Sequence, residues 1–349
     1  LEIINAAEHY SSIKQTSTVA FYVSILIFMI LGVMVASRKL HPNFRAQKYI
    51  EKYIKYFLIF CSSIAVLTTV GIVFSLLFES LRFFSDVSVF EFLFGTKWYP
   101  YIPIREGQSG SQGSFGAIPI FAGTFLIMIV AMCVALPIGL FTAIYLAEYA
   151  SPKIRRIVKP LLEILAGVPT IVYGFFAFVS VAPFVKTFGE SIGIDASPTS
   201  ALAAGLVMGI MIIPFISSLS DDVINSVPQS LREGSLGIGA NKAETIKRVI
   251  LPAALPGIVG AFLLGVSRAI GETMIVVVAA GTAPNLTANP FENVTTVTVQ
   301  IVIALIGDQE FDDPRTLSAF ALGLVLFVIT LILNIFALRI VKKYRELYE

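Results

Sequence analysis

The sequence predicts an all-α, polytopic membrane protein. Hydrophobic residues make up 56% of the 349 residues, charged residues make up only 14%, and the mean hydropathy is +0.84. A chain of this composition cannot present a normally solvated surface to water, which excludes a soluble domain. The small net charge of +2 gives no indication of a nucleic-acid partner. We therefore expect membrane lipid to surround much of the chain.

Seven apolar runs are long enough to cross about 30 Å of hydrocarbon. The runs lie at residues 18–36, 56–78, 116–147, 161–185, 199–219, 252–281 and 316–338. We interpret the first as a retained span, because its length exceeds a signal h-region of roughly 7 to 15 residues and positive charge follows it. Helix breakers inside the spans predict openings toward a water-filled path, or simply reflect membrane-helix composition. They are Pro137, Gly167, Pro169, Pro183 and Pro214.

The basic residues separate by loop. Residues 38–55, 148–159, 220–251 and the tail after residue 338 carry 18 of the 25 lysines and arginines, whereas the intervening segments carry six. Short cytoplasmic loops are enriched in Lys and Arg, so this asymmetry predicts an N-terminus outside and a C-terminus in the cytoplasm. The outer segment 79–115 contains Trp98, which we expect in an interfacial aromatic belt.

Arg268 and Glu272 are the only charged residues between Arg248 and Glu292. An arginine at bilayer depth costs about 2.5 to 3.5 kcal/mol even on insertion-derived scales, so it needs a reason and a partner. In a continuous helix, four-residue spacing places the guanidinium and the carboxylate on one face, where Glu272 can pair with Arg268. A substrate contact, an ion or proton relay, and a purely structural ion pair all remain open at this point.

The loop at 220–251 carries helix signals. Pro228 suits a first helical turn, Gly237 and Gly239 suit a stop, and Asn241 with Glu244 has capping-box spacing. These signals predict a short helix, a turn and a second helix that leads into the membrane. Such a hairpin is useful to a subunit that a separate motor moves, although an ordinary inter-helix loop fits the signals as well.

The same loop resembles the EAA loop of the permeases of ATP-binding-cassette importers. The resemblance is carried by Glu233, Gly239, Leu251 and Pro252, while Gly234 and Ser235 replace two usual alanines. It implies that Arg232, Glu233, Gly239, Leu251 and Pro252 couple the chain to an ATPase subunit. The chain lacks a G-x-x-x-x-G-K-[ST] phosphate loop, so we expect no cofactor here and ATP with Mg on the partner ATPase. No catalytic or metal site is expected.

Three further motifs resemble the PstC subunit family of phosphate transport permeases. They are GVPTIVYG at 167–174, MIIPF at 211–215 and RAIGETM at 268–274. The resemblance implies a type I importer permease domain of six helices over residues 56–349, preceded by one extra helix and a basic loop over residues 1–55. It also implies a multi-pass location in a bacterial inner membrane. The implied partners are a PstA-like second permease, a PstB-like ATPase dimer and an extracytoplasmic PstS-like phosphate-binding protein.

The resemblance and the chemistry of the side chains together predict a substrate pathway with residues from the fourth and sixth spans. Arg268 is expected to contact phosphate, since a planar guanidinium can meet two phosphate oxygens at once. Glu272 is expected to neutralise Arg268 in the empty path, or to accept a hydrogen bond from a protonated phosphate oxygen. Thr273, Thr170 and Tyr173 are further candidates for the polar lining. A permease for phosphonate, sulfate or molybdate and a stand-alone secondary transporter or channel are the alternatives.

Overall fold

The computed structural model describes residues 2–39, 46–100, 113–306 and 312–345 of the chain. Within them lie helices α1 Glu2–Lys39, α2 Ala46–Asp86, α3 Val89–Phe94, α4 Ile118–Ile144, α5 Pro152–Ala166, α6 Thr170–Phe176, α7 Ala182–Ser191, α8 Ala201–Ser226, α9 Gln229–Gly237, α10 Lys242–Thr245, α11 Leu251–Ile270, α12 Met274–Ala279, α13 Val297–Leu305 and α14 Pro314–Arg345. The remaining elements are the π-helical turns Tyr145–Tyr149, Ala177–Val181 and Ile246–Ile250, and the paired antiparallel strands β1 Trp98–Tyr99 and β2 Ser114–Phe115. The all-α prediction is confirmed.

Each of the seven predicted spans coincides with a helix, or helix series, that is long and apolar enough to cross a membrane. Among the described residues these are Ser12–Met34, Ile50–Asp86, Ile118–Tyr149, Thr170–Ser191, Ala201–Ser226, Lys242–Ile270 and Pro314–Ile340. The chain divides into two compact units, Leu1–Gly71 and Ile72–Glu349, and the division lies within α2. The candidate site lies wholly in the second unit.

Two of the predicted spans are interrupted, one of them at the predicted helix breakers Gly167 and Pro169. The span predicted at 161–185 breaks between α5 and α6, where Pro169 lacks a backbone N–H and disfavours a helical residue before it. The span predicted at 252–281 ends at Ile270, with Gly271 at its C-cap, and α12 begins at Met274. Glycine is a poor helix former, which favours a break there. Backbone is therefore open at two places inside the second unit.

Other helix breakers leave their helices intact. Helices α4 and α8 continue through Pro137 and Pro214. Pro183 and Pro252 each follow a π-helical turn by two residues. A proline ring clashes with the carbonyl four residues back and lacks an N–H. The wider turn before each of these prolines accommodates that ring. The series from Lys242 to Ile270 therefore runs unbroken past Pro252.

Helix α8 forms the centre of the second unit, with α4 packed along it in parallel. Close approach depends on two glycines of α8: a Cβ on Gly209 would lie 2.9 Å from the Ala131 carbonyl oxygen, and one on Gly205 would lie 2.7 Å from Cβ of Val130. Such contacts through small residues are the usual means by which membrane helices pack tightly.

Helix α11 packs antiparallel on α8, with Gly257 against Val223 and Gly265 against Ile216. Three small residues of α11 that recur every four positions, Ala261, Gly265 and Ala269, are buried. The helix that carries Arg268 therefore has a small-residue face, which permits close packing.

The segment that follows α2 is more tightly packed than predicted. Trp98 is only 5% exposed and meets Phe92 and Phe115 edge-on, at ring-centroid distances of 6.4 and 6.0 Å. Its indole N–H donates to Oε1 of Gln300 at 3.0 Å. The aromatic-belt interpretation of Trp98 is wrong, because its ring packs in a core and its polar atom has a buried partner.

Candidate functional site

Arg268 lies two residues before the end of α11, on the face beside the buried small-residue stripe. Its side chain is exposed, and its guanidinium carbon lies 5.7 Å from the centre of the Phe215 ring. Phe215 occupies the middle of α8, which places Arg268 at middle depth in the helix bundle. The structure supports a cation–π contact there. Among the described residues, no carboxylate forms an ion pair with Arg268.

Glu272 does not pair with Arg268, so the predicted ion pair is wrong. Glu272 lies beyond the end of α11, where the one-turn spacing of a continuous helix no longer applies. The side chain is 9% exposed, and its Oε1 accepts hydrogen bonds from the backbone N–H groups of Met274 at 3.1 Å and Ile275 at 3.3 Å. A carboxylate satisfies the free donors at a helix start in this way. Glu272 therefore holds the beginning of α12.

The three motifs that predict the pathway converge around this break. Gly174, the last residue of GVPTIVYG, packs so closely that an added Cβ would lie 3.0 Å from the Met274 carbonyl oxygen and 3.2 Å from Cα of Ile275. Phe215, the last residue of MIIPF, underlies Arg268 of RAIGETM. The fold thus brings segments from three spans to one place.

The remaining predicted pathway residues differ in their hydrogen bonding. Tyr173 is buried, and its hydroxyl donates to the Leu165 carbonyl oxygen at 2.7 Å, which satisfies a carbonyl at the end of α5. Thr273 is half-buried, with Oγ1 3.5 Å from the Gly271 carbonyl oxygen. Thr170 is half-buried at the first residue of α6. Tyr173 therefore fixes the break in span four, while Thr170 and Thr273 flank the site.

A buried polar layer beside the site was missed by the sequence analysis. Thr298, in the short helix α13, donates to the backbone carbonyl of Glu272 at 3.0 Å and lies 3.1 Å from the hydroxyl of Thr296. Gln300 donates to the Thr282 carbonyl oxygen at 3.0 Å. The polar run TTVTVQ at 295–300 was the available signal. These contacts fix the open backbone between α11 and α13.

The hairpin formed by α9 and α10 is folded as predicted. Asn241 and Glu244 make both hydrogen bonds of the capping box, at 2.9 and 3.0 Å. Gly239 has a φ of 91°, a left-handed conformation that glycine adopts at little cost and that turns the chain between the two helices. The helix–turn–helix prediction is confirmed.

The residues predicted to couple to an ATPase lie on different sides of the hairpin. Glu233 and Gly239 are exposed. Arg232 points inward, and Leu251 packs against the buried cluster that contains Ile250 and Ala254. Pro252 is half-buried at the start of α11. The exposed face also carries apolar side chains that the sequence analysis did not mark: Leu231, Leu236 and Ile238, the last of which is 89% exposed.

Comparison with known proteins identifies the family. The model of the family described as "Binding-protein-dependent transport system inner membrane component" matches residues 135–346, which include the hairpin and the Arg268 site. The chain belongs to this family. Membership makes the chain a multi-pass inner-membrane transport component rather than an enzyme. It does not favour the alternative of a secondary transporter or channel that works alone.

Individual relatives agree with this assignment. The chain is 33% identical to "Probable ABC transporter permease protein YqgH" of Bacillus subtilis (strain 168), over 77% of this chain and 84% of that protein. It is 34% identical to "Phosphate transport system permease protein PstC" of Pasteurella multocida, over 77% of this chain and 86% of that protein. A bacterial alginate ABC transporter chain, solved with an alginate-bound periplasmic protein, is 15% identical with a TM-score of 0.58, covering 86% and 97% of the two chains. That similarity supports the fold alone.

Proposed function

We propose that this chain is one permease subunit of an ATP-driven importer that moves inorganic phosphate by alternating access. The relatives named PstC support phosphate as the substrate. The observation that carries the proposal is the exposed guanidinium of Arg268 at middle depth, without an ion pair among the described residues. A cation inside a membrane span and without a counterion is a functional site by default, and an anion supplies the missing charge.

Arg268 binds the anion, and Glu272 contributes to its selection. A guanidinium offers parallel N–H donors that match two oxygens of a tetrahedral oxyanion. Oε2 of Glu272 accepts no hydrogen bond from the described residues, so it can receive one from a protonated phosphate oxygen. Sulfate carries no such proton at neutral pH. Uptake competition with unlabelled phosphonate, sulfate and molybdate separates phosphate from these related substrates.

Energy comes from a separate ATPase that docks on the exposed face of the hairpin. Glu233 supplies charge, and Leu231, Leu236 and Ile238 supply apolar surface that is unusual in water. ATP and Mg belong to that PstB-like subunit dimer. A PstA-like permease completes the pathway, and a PstS-like binding protein delivers phosphate from outside. This arrangement requires the hairpin in the cytoplasm, in agreement with the distribution of basic residues.

ATP-dependent phosphate uptake into vesicles that contain the co-purified complex tests the proposal. Arg268→Ala is expected to abolish uptake while assembly stays intact. Charged hydrogen bonds contribute about 1.5 to 3 kcal/mol each, so the loss should exceed roughly tenfold. Arg268→Lys is the matched control: it keeps the charge without the planar fork and should retain part of the uptake. Normal uptake by Arg268→Ala would refute the substrate role.

A further inference from the structure

Arg232 attaches the hairpin to the end of α8. Its guanidinium donates to the carbonyl oxygens of Ile224, at 2.7 Å, and Val227, and to Oε1 of Glu148 at 3.1 and 3.3 Å. Arg232 and Glu148 are 15% and 11% exposed, so water competes weakly for these bonds. Glu148 belongs to the π-helical turn that ends the third span. The hairpin is thereby held to two spans in addition to its covalent continuation into α11.

Asp221 attaches α8 to α5 in an ion cluster that we call the clasp: Asp221, Asn225, Arg155 and Lys159. The Asp221 side chain is 2% exposed. It accepts hydrogen bonds from Arg155 at 2.8 and 3.1 Å, from Lys159 at 3.0 Å and from Asn225 at 2.9 Å. A buried carboxylate with this many partners is held firmly, because losing one cation leaves charge uncompensated.

The Lys159 side of the clasp persists across the neutral pH range. Hydrogen bonds to Asp222 and Asp221 raise the pKa of Lys159 above its usual value. Because the pKa of Lys159 is raised in the folded protein, its contribution to stability is complete at pH values below the pKa of the unfolded chain. The contribution is lost only as the pH rises through the raised pKa of the folded protein. Lys159 is therefore charged under physiological conditions.

Helix α5 leads directly to the candidate site. It ends at Ala166, where the Tyr173 hydroxyl binds the Leu165 carbonyl oxygen and links α5 to α6 across the break. Gly174 of α6 then packs against Met274 and Ile275 of α12, the helix whose start Glu272 holds. A displacement of α5 relative to α11 therefore acts on the open backbone beside Arg268.

We propose that Arg232 and the clasp form a second connection between the hairpin and the anion site, through α8, α5 and α6. This inference rests on the proposed function. Movement of the hairpin reaches the site through two elements. One is α11, which carries Arg268, and the other is α5, which is linked through α6 to α12. The positioning residues that make α11 and α5 move together are Arg155, Lys159, Asp221 and Arg232. A chain of contacts alone does not establish coupling, so the proposal requires a measurement of coupling.

Arg155→Gln breaks the clasp, and Arg156→Gln is its matched control. Arg156 is the adjacent residue of α5; it is exposed, and no ion pair or hydrogen bond joins it to another described residue. The readout is the reactivity of a thiol introduced by Ile171→Cys, at an exposed position beside the break, in the assembled complex with Cys61 and Cys133 replaced by serine. ATP with vanadate should change this reactivity in the parent complex.

Arg155→Gln is expected to reduce the ATP-dependent change in reactivity, and Arg156→Gln to preserve it. Coupling of 0.5 to 2 kcal/mol along such a route corresponds to roughly 2- to 30-fold. Co-purification with the ATPase should remain close to that of the parent, while the melting temperature should fall because the buried Asp221 loses one of its two cations. If Arg155→Gln prevents assembly, Arg155→Lys, which keeps the charge, is expected to give an intermediate response. An unaltered response in both clasp variants would overturn the inference.

Combining Arg155→Gln with Arg232→Gln tests whether the two residues act in one route. They do not touch each other, so independent effects would multiply. If both residues act in a single route, the ATP-dependent change in thiol reactivity of the double variant should be no smaller than that of the more affected single variant. If the two losses multiply instead, the single route is rejected. The thiol readout needs no phosphate. Absence of phosphate uptake by the parent complex therefore contradicts the proposed substrate, while the labelling result decides the connection separately.

Discussion

Arg268 is the residue that we propose binds the anion, and among the described residues no carboxylate pairs with its charge. The Phe215 ring supports the guanidinium, while the carboxylate four residues later is bound to backbone N–H groups. A bound anion therefore does not need to break an existing ion pair before it reaches the arginine. Glu272 lies near the site, but the contacts of its side chain hold the start of α12.

The roles of these two charges differ in their effect on stability. Glu272→Ala removes a helix cap and should lower the stability of the complex by about 0.5 to 2 kcal/mol. Arg268→Ala should leave stability nearly unchanged, because no ion pair is lost. Thermal unfolding of the purified complex measures the stability change caused by each substitution, and Glu190→Ala at an exposed position on α7 is the control. Effects that add within about 0.5 kcal/mol support separate roles, whereas strong coupling in the double variant would restore the predicted pair.

At the scale of elements, the hairpin has an inner and an outer face with different tasks. Arg232 and the buried pair of Ser235 and Thr245, whose hydroxyls are 2.9 Å apart, hold the hairpin to itself and to α8. Glu233 and Ile238 project outward. The EAA-like residues therefore do not form one docking surface, since part of the motif maintains the shape that presents the rest.

Changes on the outer face should affect docking and leave folding intact. Glu233→Lys and Ile238→Asp are each expected to reduce the amount of ATPase subunit that co-purifies, because one reverses a charge and the other removes exposed apolar surface. Glu163→Lys on α5 is the control at another exposed carboxylate. The yield of ATPase per permease is the measurement. An undiminished yield for both outer-face variants would count against docking on this face.

At the scale of the whole molecule, the seven membrane-length helices within the described residues and the alternation of basic loops predict a threading that can be tested directly. Ser151, before α5, is predicted to face the cytoplasm, and Ser191, at the end of α7, to face outside. With the native cysteines replaced, an impermeant maleimide should label Ser191→Cys in intact spheroplasts. It should label Ser151→Cys only after permeabilisation. The reverse pattern would invert the proposed orientation.

The sequence by itself determined the spans, the helical hairpin and the position of the one intramembrane arginine. These depend on local composition, capping residues and hydropathy, which the chain carries without reference to its neighbours. Side chains with distant partners were misjudged. Trp98 was predicted at an interface, but Gln300, far along the chain, gives its indole a buried acceptor.

Only the tertiary structure decided what the charges do. Glu272 and Arg268 are paired by spacing in a continuous helix, but the chain leaves the helix at Gly271 and the carboxylate turns to the start of α12. The clasp joins Asp221 to two cations that lie 62 and 66 positions earlier, and no periodicity in the sequence encodes it. Electrostatic partners are set by which helices pack together, and that packing depends on the whole core rather than on any one segment.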